Sequence, residues 1–155
     1  MNNDDLEYLN ARPDGRTVIR TERLSIRELV RKNAVAVLDI LSRYSGQELD
    51  LTQDIPVSEI LSCPFPAERL GALIAGDITD QYRFFGYGLW GVFLKSDLIG
   101  LAMLKNGPAS GIAEIGYVIL PEYAHRGFMK EAMLAVLEYA RDQGFVSVVI
   151  RFSPG

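Results

Sequence analysis

Residues 116–140 read GYVILPEYAHRGFMKEAMLAVLEYA, and the succession of patterns within them decides the fold. The stretch begins inside AEIGYVIL (113–120), whose β-branched and aromatic content reads as a strand. PEYAHRG (121–127) carries the breakers of a loop. From Phe128 to Gln143 the spacing turns helical: Ala132, Val136, Leu137 and Ala140 form a core stripe, while Lys130, Glu131, Glu138 and Arg141 lie towards water. Gly144 is placed to close that helix, and FVSVVIRF (145–152) is a second β-branched strand. A strand–helix–strand unit makes its strands parallel neighbours joined by a right-handed crossover.

The junction between the first strand and the helix has chemistry of its own. The opening N–H groups of a helix have no intrahelical partner and carry partial positive charge, so they bind phosphate or pyrophosphate through the main chain. Gly127 would let a ligand approach the backbone closely, and Arg126 adds a cation beside it. A plainer reading has Gly127 merely starting a tight strand-to-helix turn.

Towards the N-terminus, FFGYGLWGVFLK (84–95) and LIGLAMLK (98–105) are strand-like runs with Ser96-Asp97 as the hairpin break, and NGPASG (106–111) is the turn into AEIGYVIL. Pro66 opens a helix, AERLGALIAGDITDQY (67–82), that contains two glycines. Residues 47–66 read as loop with one short helical turn. LVRKNAVAVLDILSRY (29–44) has helical spacing, with Val35, Leu38 and Leu41 inward and Gly46 as its stop. From Thr17 the chain alternates as a single half-buried strand, with Val18, Leu24 and Ile26 apolar. Residues 1–16 form a loosely held lead-in, and 17–155 a single domain. The class is α/β of the α+β type, with a mixed, mostly antiparallel sheet flanked by helices.

Bulk properties exclude more than they assign. The chain has 155 residues, enough for one core, and a net charge of −4 that argues against nucleic acid as a main partner. Cys63 is the only cysteine, so no internal disulfide forms, and no residue cluster has metal-ligand spacing. No signal-like or membrane-spanning run occurs in the sequence, which points to a cytoplasmic protein.

The segment 116–140 resembles the acetyl-CoA-binding region of the GNAT N-acetyltransferase superfamily, closest to the subgroup of ribosomal-protein N-terminal acetyltransferases. Pro121-Glu122-Tyr123, Gly127, Phe128 and Glu131-Ala132 fall in that pattern's register. Thr21-Glu22-Arg23-Leu24 with Arg27 is similar to the subgroup's first-strand signature, and Tyr87-Gly88-Leu89-Trp90 to its second. The resemblance, over roughly 17–152, implies central parallel strands that splay apart around acetyl-CoA as cosubstrate. Pantetheine would bond the backbone of Tyr117, Val118 and Ile119. Pyrophosphate would sit on amides of His125, Arg126, Gly127, Phe128, Met129 and Lys130. A primary amine, on a protein N-terminus or a small molecule, would attack the thioester directly. The acceptor would be selected by residues 29–83.

Glu114, at the start of the cofactor-holding strand, is the candidate base, or else a solvated edge residue or ion-pair partner. His125, the only histidine, is favoured as a loop residue rather than an acid or base, and Tyr123 and Trp90 as packing residues.

The loop departs from the family pattern at Ala124, His125 and Met129, with closer crowding of a ligand expected at the last two. Relatives continue past VSVVIRF with a further helix and strand pair, which commonly supply a tyrosine that protonates the leaving sulfur. The fold is therefore expected to lack that part, and its bare β-prone edge to be covered by a second copy in a homodimer. A non-catalytic acyl-CoA-binding module is the alternative to an enzyme, and a purely structural domain a third reading.

Overall fold

The computed structural model describes residues 15–43, 50–52 and 55–151. Apart from Gly15 and Arg16, the expected lead-in lies outside the described residues, as does the helix stop at Gly46. The main sheet contains β1 (Thr17–Arg20), β2 (Leu24–Glu28), β5 (Leu89–Leu94), β6 (Asp97–Asn106), β7 (Ile112–Ile119) and β8 (Ser147–Arg151), in that spatial order. All neighbours are antiparallel except β7 and β8, which are parallel at one margin of the described sheet. The small ribbon β3 (Asp50–Thr52) and β4 (Ile55–Pro56) stands apart.

The alternating run from Thr17 is two strands rather than one. Thr21 folds it back: its amide donates to the Leu24 carbonyl at 2.9 Å, and its hydroxyl accepts from the Leu24 amide at 3.0 Å. The polar run Arg20–Arg23 interrupts the alternation at this turn, and the pattern resumes at Leu24, where β2 begins. The β5–β6 hairpin turns at Lys95-Ser96, one residue before the expected break, because Leu94 pairs with Asp97. Lys95 takes the positive φ of 57° that this tight reversal needs.

The first helix begins later than its spacing suggests. A 3-10 turn spans Arg31–Asn33, where the Asn33 side chain accepts the Val30 amide at 2.9 Å, and α1 then runs Ala34–Arg43. Its buried face is Ala34, Val37, Ile40 and Leu41, and Val35 is 70% exposed. The true stripe is thus rotated from the expected one, through Ala34 and Val37 rather than Val35, while Leu38 and Leu41 still face the core. Between residues 47 and 66 a short helix α2 (Val57–Leu61) appears, as expected, together with the β3–β4 ribbon, which the prolines hid.

The helix after Pro66 is nearly continuous. It comprises α3 (Pro66–Leu73), a π-helical turn at Ile74–Ile78, and α4 (Thr79–Phe85). Its two glycines are tolerated for different reasons. A Cβ on Gly71 would lie 3.3 Å from Arg31 Cγ and 3.7 Å from the Ala34 methyl, so glycine permits close helix packing there. At Gly76 there is open space, and the helical cost is borne without a packing return.

The crossover helix α5 (Phe128–Asp142) covers one face of the sheet. Trp90, fully buried, meets the Tyr139 ring edge-on at 5.4 Å. Directly opposite residues share a face, so Trp90, Ala102 and Tyr117 all look towards α5. Helices α1 to α4 lie over the other face, where Leu89, Leu101, Met103 and Val118 are buried. Along α5, Phe128, Ala132, Met133, Val136 and Ala140 are buried, and Leu137 is half-buried. Glu131 does not lie towards water as its spacing suggests; it turns to the β1–β2 hairpin.

Candidate functional site

β7 leads through a 3-10 turn at Pro121–Tyr123 into the loop before α5. Two loop residues have left-handed backbone, His125 (φ 61°) and Gly127 (φ 79°), and Gly127 is the N-cap of α5. Only glycine adopts that conformation at little cost. No side chain caps the helix, and the first amide with an i−4 partner is that of Glu131, which donates to the Gly127 carbonyl at 3.1 Å. The amides of Phe128, Met129 and Lys130 therefore open the helix without an intrahelical acceptor, at its positive end. That arrangement is complementary to an anion.

Of the two side chains expected to crowd a ligand, Met129 turns away from this mouth. Met129 is half-buried, and its methyl lies 3.3 Å from where a Cβ on Gly100 of β6 would be, so it points down onto the sheet. His125 is exposed. Phe128 is 3% exposed, with the Arg23 guanidinium 4.3 Å and the Arg126 guanidinium 5.0 Å from its ring centroid. Lys130 is exposed beside them.

The Glu131 carboxylate gathers three donors from the hairpin: the Thr21 hydroxyl at 2.5 Å, the Arg23 amide at 2.9 Å and Arg23 Nε at 2.7 Å. Partial desolvation alone would raise its pKa, but these hydrogen bonds together hold it below the ordinary carboxylate value. Arg23 also donates through Nη1 to the Arg126 carbonyl at 3.2 Å. A further tie reaches the turn before the loop: Arg43, near the end of α1, pairs with Glu122 and with Asp39. The Arg43 hydrogen bond is the main cause of the lowered Glu122 pKa.

Tyr117, Val118 and Ile119 pair on one side with Ala102, Leu101 and Gly100 of β6. On the other side the described β7–β8 rungs run from Ile112–Ser147 to Gly116–Arg151, so the three residues lie beyond the last of them, towards the loop. Glu114 sits at the opposite end of β7, 7% exposed on the α1–α4 face. Its carboxylate lies 3.4 Å from Lys105 Nζ, directly across the strand pair. The ion-pair alternative for Glu114 is therefore realised, and the loop and Glu114 occupy the two ends of one strand. Among the described residues no group of three or more His, Cys, Asp or Glu could hold a metal ion. No described helix is long and apolar enough to cross a membrane.

Residues 23–155 match the acetyltransferase (GNAT) domain family. The chain belongs to that family. No curated protein sequence matches it. Among solved structures, the ribosomal L7/L12 α-N-protein acetyltransferase RimL in its apo form is similar at TM-score 0.64 and 18% identity, over 88% of this chain and 71% of that one. A GNAT-family acetyltransferase from Bacillus anthracis matches at TM-score 0.53 and 24% identity, over 81% of this chain and 66% of that one. The microcin C7 self-immunity acetyltransferase MccE, solved with acetyl-CoA and AMP, matches at TM-score 0.58 and 16% identity, over 89% and 73%. The chain thus spans about two thirds to three quarters of these GNAT structures.

Sequence reasoning did not place Thr21, Arg23 and Glu131 at one point. The signal was present in part, since the Thr-Glu-Arg-Leu and Glu-Ala pieces were both singled out, but nothing in either segment states that they touch across more than a hundred residues.

Proposed function

We propose that this GNAT domain binds acetyl-CoA at the β7–α5 junction and transfers its acetyl group to a primary amine. The observation that carries the reading is the uncapped start of α5, with three amides lacking intrahelical acceptors behind two residues of positive φ. The residues present fit the group: main-chain donors and Arg126 for pyrophosphate, with Met129 turned away from the mouth. The backbone of Tyr117, Val118 and Ile119 continues from that loop along the strand and is the proposed track for pantetheine.

In the transfer, the amine nitrogen attacks the thioester carbonyl carbon, the C–N bond forms, the amine proton leaves and the C–S bond breaks to give a thiolate that is then protonated. Glu114 is the proposed proton acceptor, and its burial on the strand that carries the cosubstrate supports the assignment. The contact with Lys105 favours a second reading, a domain that binds acyl-CoA without turnover, because it gives the carboxylate a structural partner. RimL, which acts on a protein N-terminus, supports an α-amine acceptor, as does the net charge of −4 for a cationic one. We also propose a homodimer in which β8 meets its counterpart. Among the described residues the strand lies at the sheet margin, with Val149 46% and Ile150 40% exposed and Val146 beside it 86% exposed.

Calorimetric titration of acetyl-CoA and free CoA, followed by thiol-release assays over a panel of amines, tests the reading. Binding with thiol release supports an enzyme, and binding without release over any amine supports the second reading. Absence of binding overturns both. A monomer in sedimentation at tens of micromolar would remove the dimer.

A further inference from the structure

The planar trans peptide between Arg126 and Gly127 has its carbonyl taken by Arg23 Nη1 at 3.2 Å. In such a unit the C=O and N–H point in opposite directions, so the Gly127 N–H is aimed away from the hairpin. Rotation of this peptide would reverse both, presenting a carbonyl where the N–H now faces. Whatever holds Arg23 therefore decides whether the loop offers a donor or an acceptor at that point.

Arg23 is held on three sides. Its Nε donates to Glu131 at 2.7 Å, its own amide donates to the other Glu131 oxygen at 2.9 Å, and its guanidinium lies 4.3 Å from the Phe128 ring centroid. Thr21 secures the carboxylate from the hairpin side at 2.5 Å while its hydroxyl accepts the Leu24 amide at 3.0 Å. The remaining nitrogen, Nη2, stands 3.4 Å from where a Cβ on Gly127 would be, so the brace lies directly against the N-cap. Because Glu131 neutralises Arg23 locally, the arginine acts here more through geometry than through free charge.

We infer that Thr21, Arg23 and Glu131 form a positioning brace that fixes the Arg126–Gly127 peptide with its N–H outward, ready for a pyrophosphate oxygen. The inference rests on the proposed acetyl-CoA site and names residues outside the loop that make it competent. Positioning by a forked, two-point contact also predicts that lysine cannot replace Arg23.

The test has two arms. In the unliganded protein, ¹⁵N relaxation is measured for wild type, Arg23→Ala, Arg23→Lys and Thr21→Val. Order parameters at 125–128 are expected to fall from the rigid range of about 0.85 towards about 0.6 in both arginine variants, with smaller losses in Thr21→Val and none in β5 or β6. In the second arm, CoA and the pyrophosphate-free thioester S-acetylpantetheine are titrated. Both arginine variants should lose about tenfold to a hundredfold in CoA affinity, with S-acetylpantetheine changed by less than about twofold. Unchanged order in the loop, equal losses for both ligands, or full rescue by lysine would each overturn the brace. If wild type binds no CoA, the proposed function falls while the relaxation arm still decides the brace. If Arg23→Ala does not fold, the lysine and Thr21→Val variants carry the decision.

Discussion

Gly127 has φ +79° and caps the helix that would hold the pyrophosphate, so alanine and aspartate at this position separate backbone strain from charge. An L-residue in left-handed backbone costs about 1–2 kcal/mol. For a domain of this size each kcal/mol lowers Tm by about 2–4 °C, so both variants should lose about 2–8 °C. The strain is present with and without ligand, so Gly127→Ala should lose less than about tenfold in CoA affinity. Gly127→Asp adds a negative charge near the proposed phosphate site. At a separation of about 6 Å and an effective dielectric of about 20, unit charges repel by about 2.8 kcal/mol, or about a hundredfold. The pyrophosphate carries more than one charge, but Arg23 Nη2 lies 3.4 Å from the new Cβ and will screen part of the effect. About a hundredfold is therefore the expected whole. Differential scanning calorimetry gives the first quantity and isothermal titration the second. Equal CoA affinities for the two variants would refute charge at the helix start as the basis of binding, and wild-type affinity in Gly127→Asp would remove the ligand from this loop altogether.

Tyr82 is buried, accepts the Leu29 amide at 3.1 Å and donates to the Leu89 carbonyl, so Tyr82→Phe orphans two main-chain groups and should cost roughly 2–4 kcal/mol in denaturant unfolding, with CoA affinity unchanged. Burial also raises the Tyr82 pKa above its ordinary 10.0; wild type should lose stability as pH climbs past that value, and the variant should lack this part of the alkaline limb. The Glu131 carboxyl is shifted the other way, below 4.5, so its contribution is complete above that pH and disappears as pH falls through the lower folded value. Unfolding between pH 6 and 2 should accordingly show a flatter acid limb in Glu131→Gln than in wild type. For Glu114, a base role predicts that Glu114→Gln lowers kcat by about 10²–10⁴-fold while Lys105→Met does not, whereas a purely structural pair predicts similar stability losses for both and little change in turnover.

The strand–loop–helix–strand order from Ile112 to Arg151 was legible because each element has one strong period and a breaker at each end: Pro121 and Gly127 before α5, Gly144 after it. The antiparallel strands β5 to β7 were legible for the same reason, although the β5–β6 turn falls one residue earlier than expected and β5 starts at Leu89 rather than Phe84, because Phe84 and Phe85 end α4. What escaped was set by contacts distant in sequence. The polar run Arg20–Arg23 interrupts the alternation without stating a reversal, and the Thr21–Leu24 hydrogen bonds reveal it. The buried stripe of α1 runs through Ala34, Val37 and Leu41, an apolar spacing that competes in the sequence with the one through Val35, Leu38 and Leu41. At the candidate site the loop glycine could be read from its neighbours, because backbone conformation is a local property. The destination of Glu131 could not, because its position on α5 permits either water or the hairpin.

The same long reach constrains the order in which the molecule is made. Thr21 and Glu131 are separated by 110 positions, and closing so large a loop is an entropic cost met only after the intervening sheet exists. On the ribosome the hairpin emerges early and must wait, at about 5–20 residues per second, for the helix that completes its task. Until α5 has docked, the His125–Gly127 turn has no partner to set its peptide plane. CoA is thus poorly suited to guide the early folding of this domain and well suited to report its completion.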